Sequence, residues 1–109
     1  MSTTVFKGAI KTGTIRAKVF ADFSNSGSDL LVLGYAADGG GGPQSSQAVA
    51  APGGSARAEL TAPAKGVLEV WVVVGDAKDS GRLQVMHGDT VVDDGTFQDA
   101  VRWVYAVEA

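Results

Sequence analysis

The chain has 109 residues, 45% of them hydrophobic and 19% charged, with no cysteine and a formal net charge of -3. That length carries one hydrophobic core, and that balance belongs to a folded domain and not to a disordered segment. The missing thiols exclude disulfides, thiolate metal sites and cysteine nucleophiles, and the acidic surplus leaves no basic patch for nucleic acid or an anionic membrane.

In chain order, the opening Met1-Ser2-Thr3-Thr4-Val5-Phe6-Lys7 lacks a charged region followed by an apolar one. No apolar run approaches the roughly 20 residues of a membrane span, so the expectation is a cytoplasmic protein, or one exported without a Sec signal, that inserts in no membrane. Val5 to Ile10 is a weak strand. From Ile15 to Phe23 the residues Ile15, Ala17, Val19, Ala21 and Phe23 alternate with Arg16, Lys18, Phe20 and Asp22, the period of a half-buried strand. Asp29 to Ala37 is apolar on both faces and reads as a central strand.

Asp38 to Ser46, with four glycines at Gly39 to Gly42, reads as a mobile loop. It lacks the lysine and following helix of a phosphate loop. Gln44 to Val49 is a still weaker strand. Ala56 to Ala62 alternates again, and the β-branched stretch Gly66 to Gly75 reads as a second central strand. Asp76, Lys78 and Asp79 suit a hairpin turn and receive no role. Leu83 and Val85 alternate with Arg82, Gln84 and Met86, and Val101, Trp103, Tyr105 and Val107 close the chain the same way. The lone His87 has no accompanying nucleophile motif and reads as a turn-edge residue. About seven to nine short strands without helical crossovers predict an all-β antiparallel β-sandwich, one domain over 1–109.

The polar stretch ahead of the terminal strand holds Asp89, Asp93, Asp94, Gly95, Thr96, Gln98 and Asp99. Carboxylates and carboxamides spaced this closely supply several of the roughly six to eight oxygens calcium takes, although a turn rich in Asp and Gly has the same composition. Among the aromatics, Phe97 stands in this acidic loop and is the one expected to face a ligand.

Asp93-Asp94-Gly95-Thr96, then Gln98-Asp99-Ala100-Val101 running into an apolar strand, resembles the calcium loop of the LecB-like two-calcium bacterial lectins, which bind fucose and mannose. Val19 to Gly27 is similar to the strand and loop that carry that family's asparagine ligand and sugar-specificity residues, and Gly66 to Asp76 looks like another family strand and turn. The resemblance implies a carbohydrate-binding sandwich with calcium as cofactor, held by Asn25, Asp93, Asp94, Gln98 and Asp99. It places the sugar at Asn25, Ser26 and Gly27, with specificity from the Ser26 to Asp29 loop. The calcium loop is shortened, because only Phe97 stands where the family has further residues, two aspartate ligands among them.

Phe20 and Trp71 fall outside their strands' regular apolar rows, and a second apolar face is the mark of a subunit interface, so a homo-oligomer is expected. No nucleophile and base, and no acid pair, stands out, so the chain reads as no enzyme. Two functions follow: a lectin-like sandwich binding fucose- or mannose-type carbohydrate with calcium, or a non-catalytic structural or protein-interaction domain that self-associates through an apolar sheet face.

Overall fold

Period-two alternation dictates strands, and strands with one apolar side must cover that side with another sheet. The computed structural model describes residues 3–41 and 43–109, so Met1 and Ser2 of the N-terminal reading and Gly42 of the glycine run lie outside the described residues. The strands are β1 (Thr3–Lys11), β2 (Gly13–Ala21), β3 (Asp29–Ala37), β4 (Gln44–Ala50), β5 (Ser55–Ala62), β6 (Gly66–Val73), β7 (Ser80–His87), β8 (Thr90–Gln98) and β9 (Val101–Glu108). They form a five-stranded sheet in the order β1-β9-β6-β3-β4 and a four-stranded sheet in the order β5-β2-β7-β8. Neighbours are antiparallel except β1, which runs parallel to β9. None of the described residues is helical, and the architecture is an all-β sandwich.

The core is the space between the inner rows of the two sheets. Ile15, Ala17 and Val19 of β2 and Leu83 and Val85 of β7 are fully buried from one side. Leu31 and Leu33 of β3, Leu68 and Val70 of β6, and Tyr105 of β9 meet them from the other. The Tyr35 hydroxyl donates to the Ala64 carbonyl at 2.5 Å, so a ring placed at the core's end keeps its polar tip satisfied.

Three expectations change. The acidic stretch is not a loop but strand β8, joined to β7 by the tight turn at Gly88 and Asp89. As an edge strand it has one side free of the core, which is why its acids and β-branched residues coexist. Phe97 is consequently a core residue, 6% exposed, and not the aromatic that faces a ligand. Conversely, β2 ends at Ala21, where the chain turns with the Asn25 N–H on the Asp22 carbonyl, so Phe23 leaves the inner row and stands 91% exposed.

Candidate functional site

The two sheets differ sharply on their outer sides. On the four-stranded sheet the outward row pairs Arg16 with Glu59, Lys18 with Arg57 and Gln84 with Asp94, a charged surface suited to water. On the five-stranded sheet the outward residues of the three central strands are Leu30, Val32, Gly34 and Ala36, then Val67, Glu69, Trp71 and Val73, then Arg102, Val104, Ala106 and Glu108. Phe6 of β1 and Val49 of β4 extend this face at its two margins, 69% and 63% exposed. Trp71, placed off the regular row by the sequence pattern, lies at its middle and is 38% exposed.

Of the charged side chains in those central rows, Glu69 and Arg102 are hydrogen-bonded to each other, and Glu108 stands exposed at the end of β9 opposite Lys11 of β1. The Arg102 guanidinium also stands 5.1 Å from the centre of the Trp71 ring. The charges at the middle of the face are therefore neutralised within it and are surrounded by hydrocarbon, with Thr4, Ser45, Gln47 and Glu108 toward the margins. A second aromatic, Phe20, is treated differently on the other sheet, where Lys18 and Arg82 cover its ring. Beside Glu69 the face dips into a hollow floored by Gly34 and walled by Ser45, Gln44, Pro43 and Val67.

A second cluster lies at the end of the sandwich where the β2–β3 and β6–β7 connections meet. Asp29 and Asp79 are both fully buried. Asp29 accepts the Gly75 N–H at 3.3 Å and the Asn25 amide at 2.9 Å, and Asp79 accepts the Ser26 N–H at 3.0 Å. The second Asp79 oxygen meets no N–H or hydroxyl donor among the described residues, which leaves it to the Asp29 carboxyl when that group is protonated. Burial, and next the hydrogen bond with Asp79, raise the Asp29 carboxyl from 3.8 to about 6, while the hydrogen bond with Asp29 lowers Asp79. Two carboxyls so placed share one proton. The pair joins the two connections, and Asn25 adds a clasp to the Ser80 backbone, donating to its carbonyl and accepting its N–H at 2.9 Å each.

The residues expected to hold calcium do not converge. Asp93 and Asp94 are consecutive on β8 and point to opposite sides of it. Asp93 accepts the Tyr105 hydroxyl at 2.7 Å and pairs with Lys7 at 3.3 Å. Asp94 takes a two-pronged contact from Arg82 and a third bond from Gln84, and Arg82 above all holds its carboxyl at about 2. Gln98 pairs with Ser80 four residues further along the strand, about 13 Å from Asp94. Asp99, at φ 66, caps the turn into β9 and takes the Ala100 N–H at 2.7 Å, and its own N–H reaches the Asp79 carbonyl. Asn25, Gln98 and Asp99 thus gather at one end while Asp93 and Asp94 stand mid-strand with other partners, an arrangement that does not fit one calcium ion. No group of three metal-ligating side chains converges among the described residues.

Of the residues expected to meet sugar, Asn25 is buried in its clasp, Gly27 packs on the Gly75 backbone, and Ser26 is exposed with its N–H tied to Asp79. The ring beside them is Phe23, seated over Gly53. His87 bonds the Thr12 carbonyl at 2.8 Å, an edge contact of structural character. Sequence reasoning gave Asp79 to a turn and passed over Gly34. A lone glycine in an apolar strand was the available signal, since it marks close approach by something else. Comparison with known proteins finds no matching family model, no matching curated protein and no matching solved structure.

Proposed function

We propose that this chain is a non-catalytic interaction domain that self-associates through the outer face of its five-stranded sheet. The observation that carries the reading is the asymmetry of the sandwich: one outer face is charged, and the other exposes Phe6, Val49, Val67, Trp71 and Val73 around a single neutralised ion pair. Large exposed apolar patches rimmed by polar residues mark interaction sites, and Trp and Arg are the side chains that most often anchor them. Light scattering across a concentration series tests it: a mass above that of one chain, falling on dilution, is expected. A clean monomer at tens of micromolar overturns it.

A second reading rests on Phe23. A phenyl ring 91% exposed, held over Gly53 at the mouth of a hydrogen-bonded loop bearing Ser24 and Ser26, suits stacking against the apolar side of a sugar ring. On this reading the domain binds fucose- or mannose-type carbohydrate through that ring and without calcium. A glycan array carrying such sugars is expected to give signals that Phe23→Ala removes and EDTA leaves in place, and an empty array removes the reading.

A further inference from the structure

We infer that the Gly34 hollow is the receptor for Trp71 of a second copy, in a two-fold, face-to-face pair of the five-stranded sheets. This rests on the self-association proposed above and names its contact.

Gly34 has no reason within its own chain. It sits mid-way along the nine-residue strand β3, where glycine is destabilising relative to alanine. Its backbone is not in the left-handed region that favours glycine. A Cβ built on it would meet nothing nearer than the Gln44 carbonyl oxygen at 4.0 Å. Other strand glycines are different: a Cβ on Gly66 would run into the Ala36 carbonyl oxygen, and one on Gly81 into that of Phe20. Backbone and neighbours dictate those glycines, whereas at Gly34 the missing side chain leaves only an opening on the apolar face.

The same face carries the matching projection. Gly34 lies opposite Glu69 on β6, and Trp71, two residues further along β6, lies opposite Val32. Trp71 and Gly34 are therefore diagonal neighbours, about 7–8 Å apart. A two-fold axis lying in the interface between them sets each copy's Trp71 over the other's Gly34, so one patch serves as both surfaces, as a two-fold interface requires. Glu69 and Arg102, next to this contact on β6 and β9, are bonded to each other within each copy, so neither brings an unpaired charge into the interface. With strands about 4.8 Å apart and about 3.3 Å rise per residue, the face covers roughly 500 Å², and a pair buries roughly 1,000 Å², the size at which specific interfaces begin.

Sedimentation equilibrium on the full chain tests the contact. Gly34→Ala adds a Cβ that meets nothing nearer than 4.0 Å in its own chain, and Gly34→Val fills the hollow further. Trp71→Ala removes the projection. Gly34→Val and Trp71→Ala are each expected to raise the dimer dissociation constant at least tenfold, with thermal unfolding showing that each is folded. Mixing the two is expected to form a heterodimer tighter than either homodimer, because the Trp71 left in one enters the Gly34 hollow left in the other. A wild-type dimer insensitive to Gly34→Val, or a mixture no tighter than its components, overturns the contact and leaves self-association standing. A monomeric wild type overturns both.

Discussion

When the protein is taken from pH 7 to pH 5, its resistance to urea is expected to rise. Asp29 is fully buried beside Asp79, and its carboxyl is raised from 3.8 to about 6 by burial first and by the Asp79 hydrogen bond next. An acid whose folded value lies above its unfolded one holds its proton more tightly in the folded state. Its contribution to stability is complete below about 3.8 and is lost as the pH rises through about 6. The full span is on the order of 3 kcal/mol at about 1.4 kcal/mol per pH unit, and the step from pH 7 to pH 5 captures roughly 1 kcal/mol of it. With a urea dependence of about 1–2 kcal/mol per molar, the midpoint moves up by about 0.5–1 M. Asp94, held at about 2 by Arg82 and then Gln84, and Asp79, lowered by Asp29, have the opposite sign, but they act only as the pH falls below the ordinary carboxylate value. The assay is urea unfolding at fixed protein concentration, with Asp79→Asn as the control. There an amide donates to Asp29 in place of the shared proton while the Ser26 N–H keeps its acceptor, and the slope between pH 5 and 7 is expected to vanish. A wild-type midpoint that stays flat or falls from pH 7 to 5, or a slope that survives in Asp79→Asn, refutes the shared proton.

Leu33→Ala, at a fully buried position of a central strand, is expected to cost about 3 kcal/mol in the same urea assay. Tyr105→Phe removes the hydroxyl that Asp93 accepts but leaves Lys7 beside that carboxylate, so a loss of about 1 kcal/mol is expected by thermal unfolding. Calcium, followed by excess EDTA, is expected to leave the melting midpoint unchanged, because Asp93 and Asp94 are engaged elsewhere; a calcium-dependent rise would show that a metal binds the folded chain.

The strands were legible wherever period two was strong, because the inner row of a sandwich must be apolar whatever the fold's details. Ile15, Ala17 and Val19 illustrate it, and β3 and β6, apolar on both sides, were readable as central strands. β8 escaped because it is an edge strand whose acids are answered across space, by Arg82 and Gln84 on β7 and by Tyr105 on β9, and no local pattern announces such partners. Asp29 and Asp79 escaped for a related reason, since 50 residues of chain separate two acids that only the fold makes neighbours. Trp71 was legible as a departure from its row, but the continuity of the apolar face across β3, β6 and β9 depends on register, which alternation alone leaves open.

The finish of the edges supports the proposed association through the face over one through a sheet edge. Free edges invite another strand unless something blunts them. On β1 the register breaks between Phe6 and Gly8, where Gly8 sits at φ 108, and Lys7 reaches from that kink to Asp93. On the far margin β4 follows Pro43 and presents Gln44, Ser45 and Gln47, while its Ser46 hydroxyl takes the Glu59 N–H of β5 and ties the two sheets together. β8 carries Asp93 and Asp94 along its length. The β1, β4 and β8 edges are kinked, polar or acidic, whereas at the middle of the outer face the hydrocarbon is interrupted by one internally paired Glu69 and Arg102. A pair formed there is closed by its own two-fold symmetry and does not propagate. Its driving force is apolar burial, so its heat capacity change on association is negative and added salt does not dissolve it, in contrast to an assembly held by the charged face.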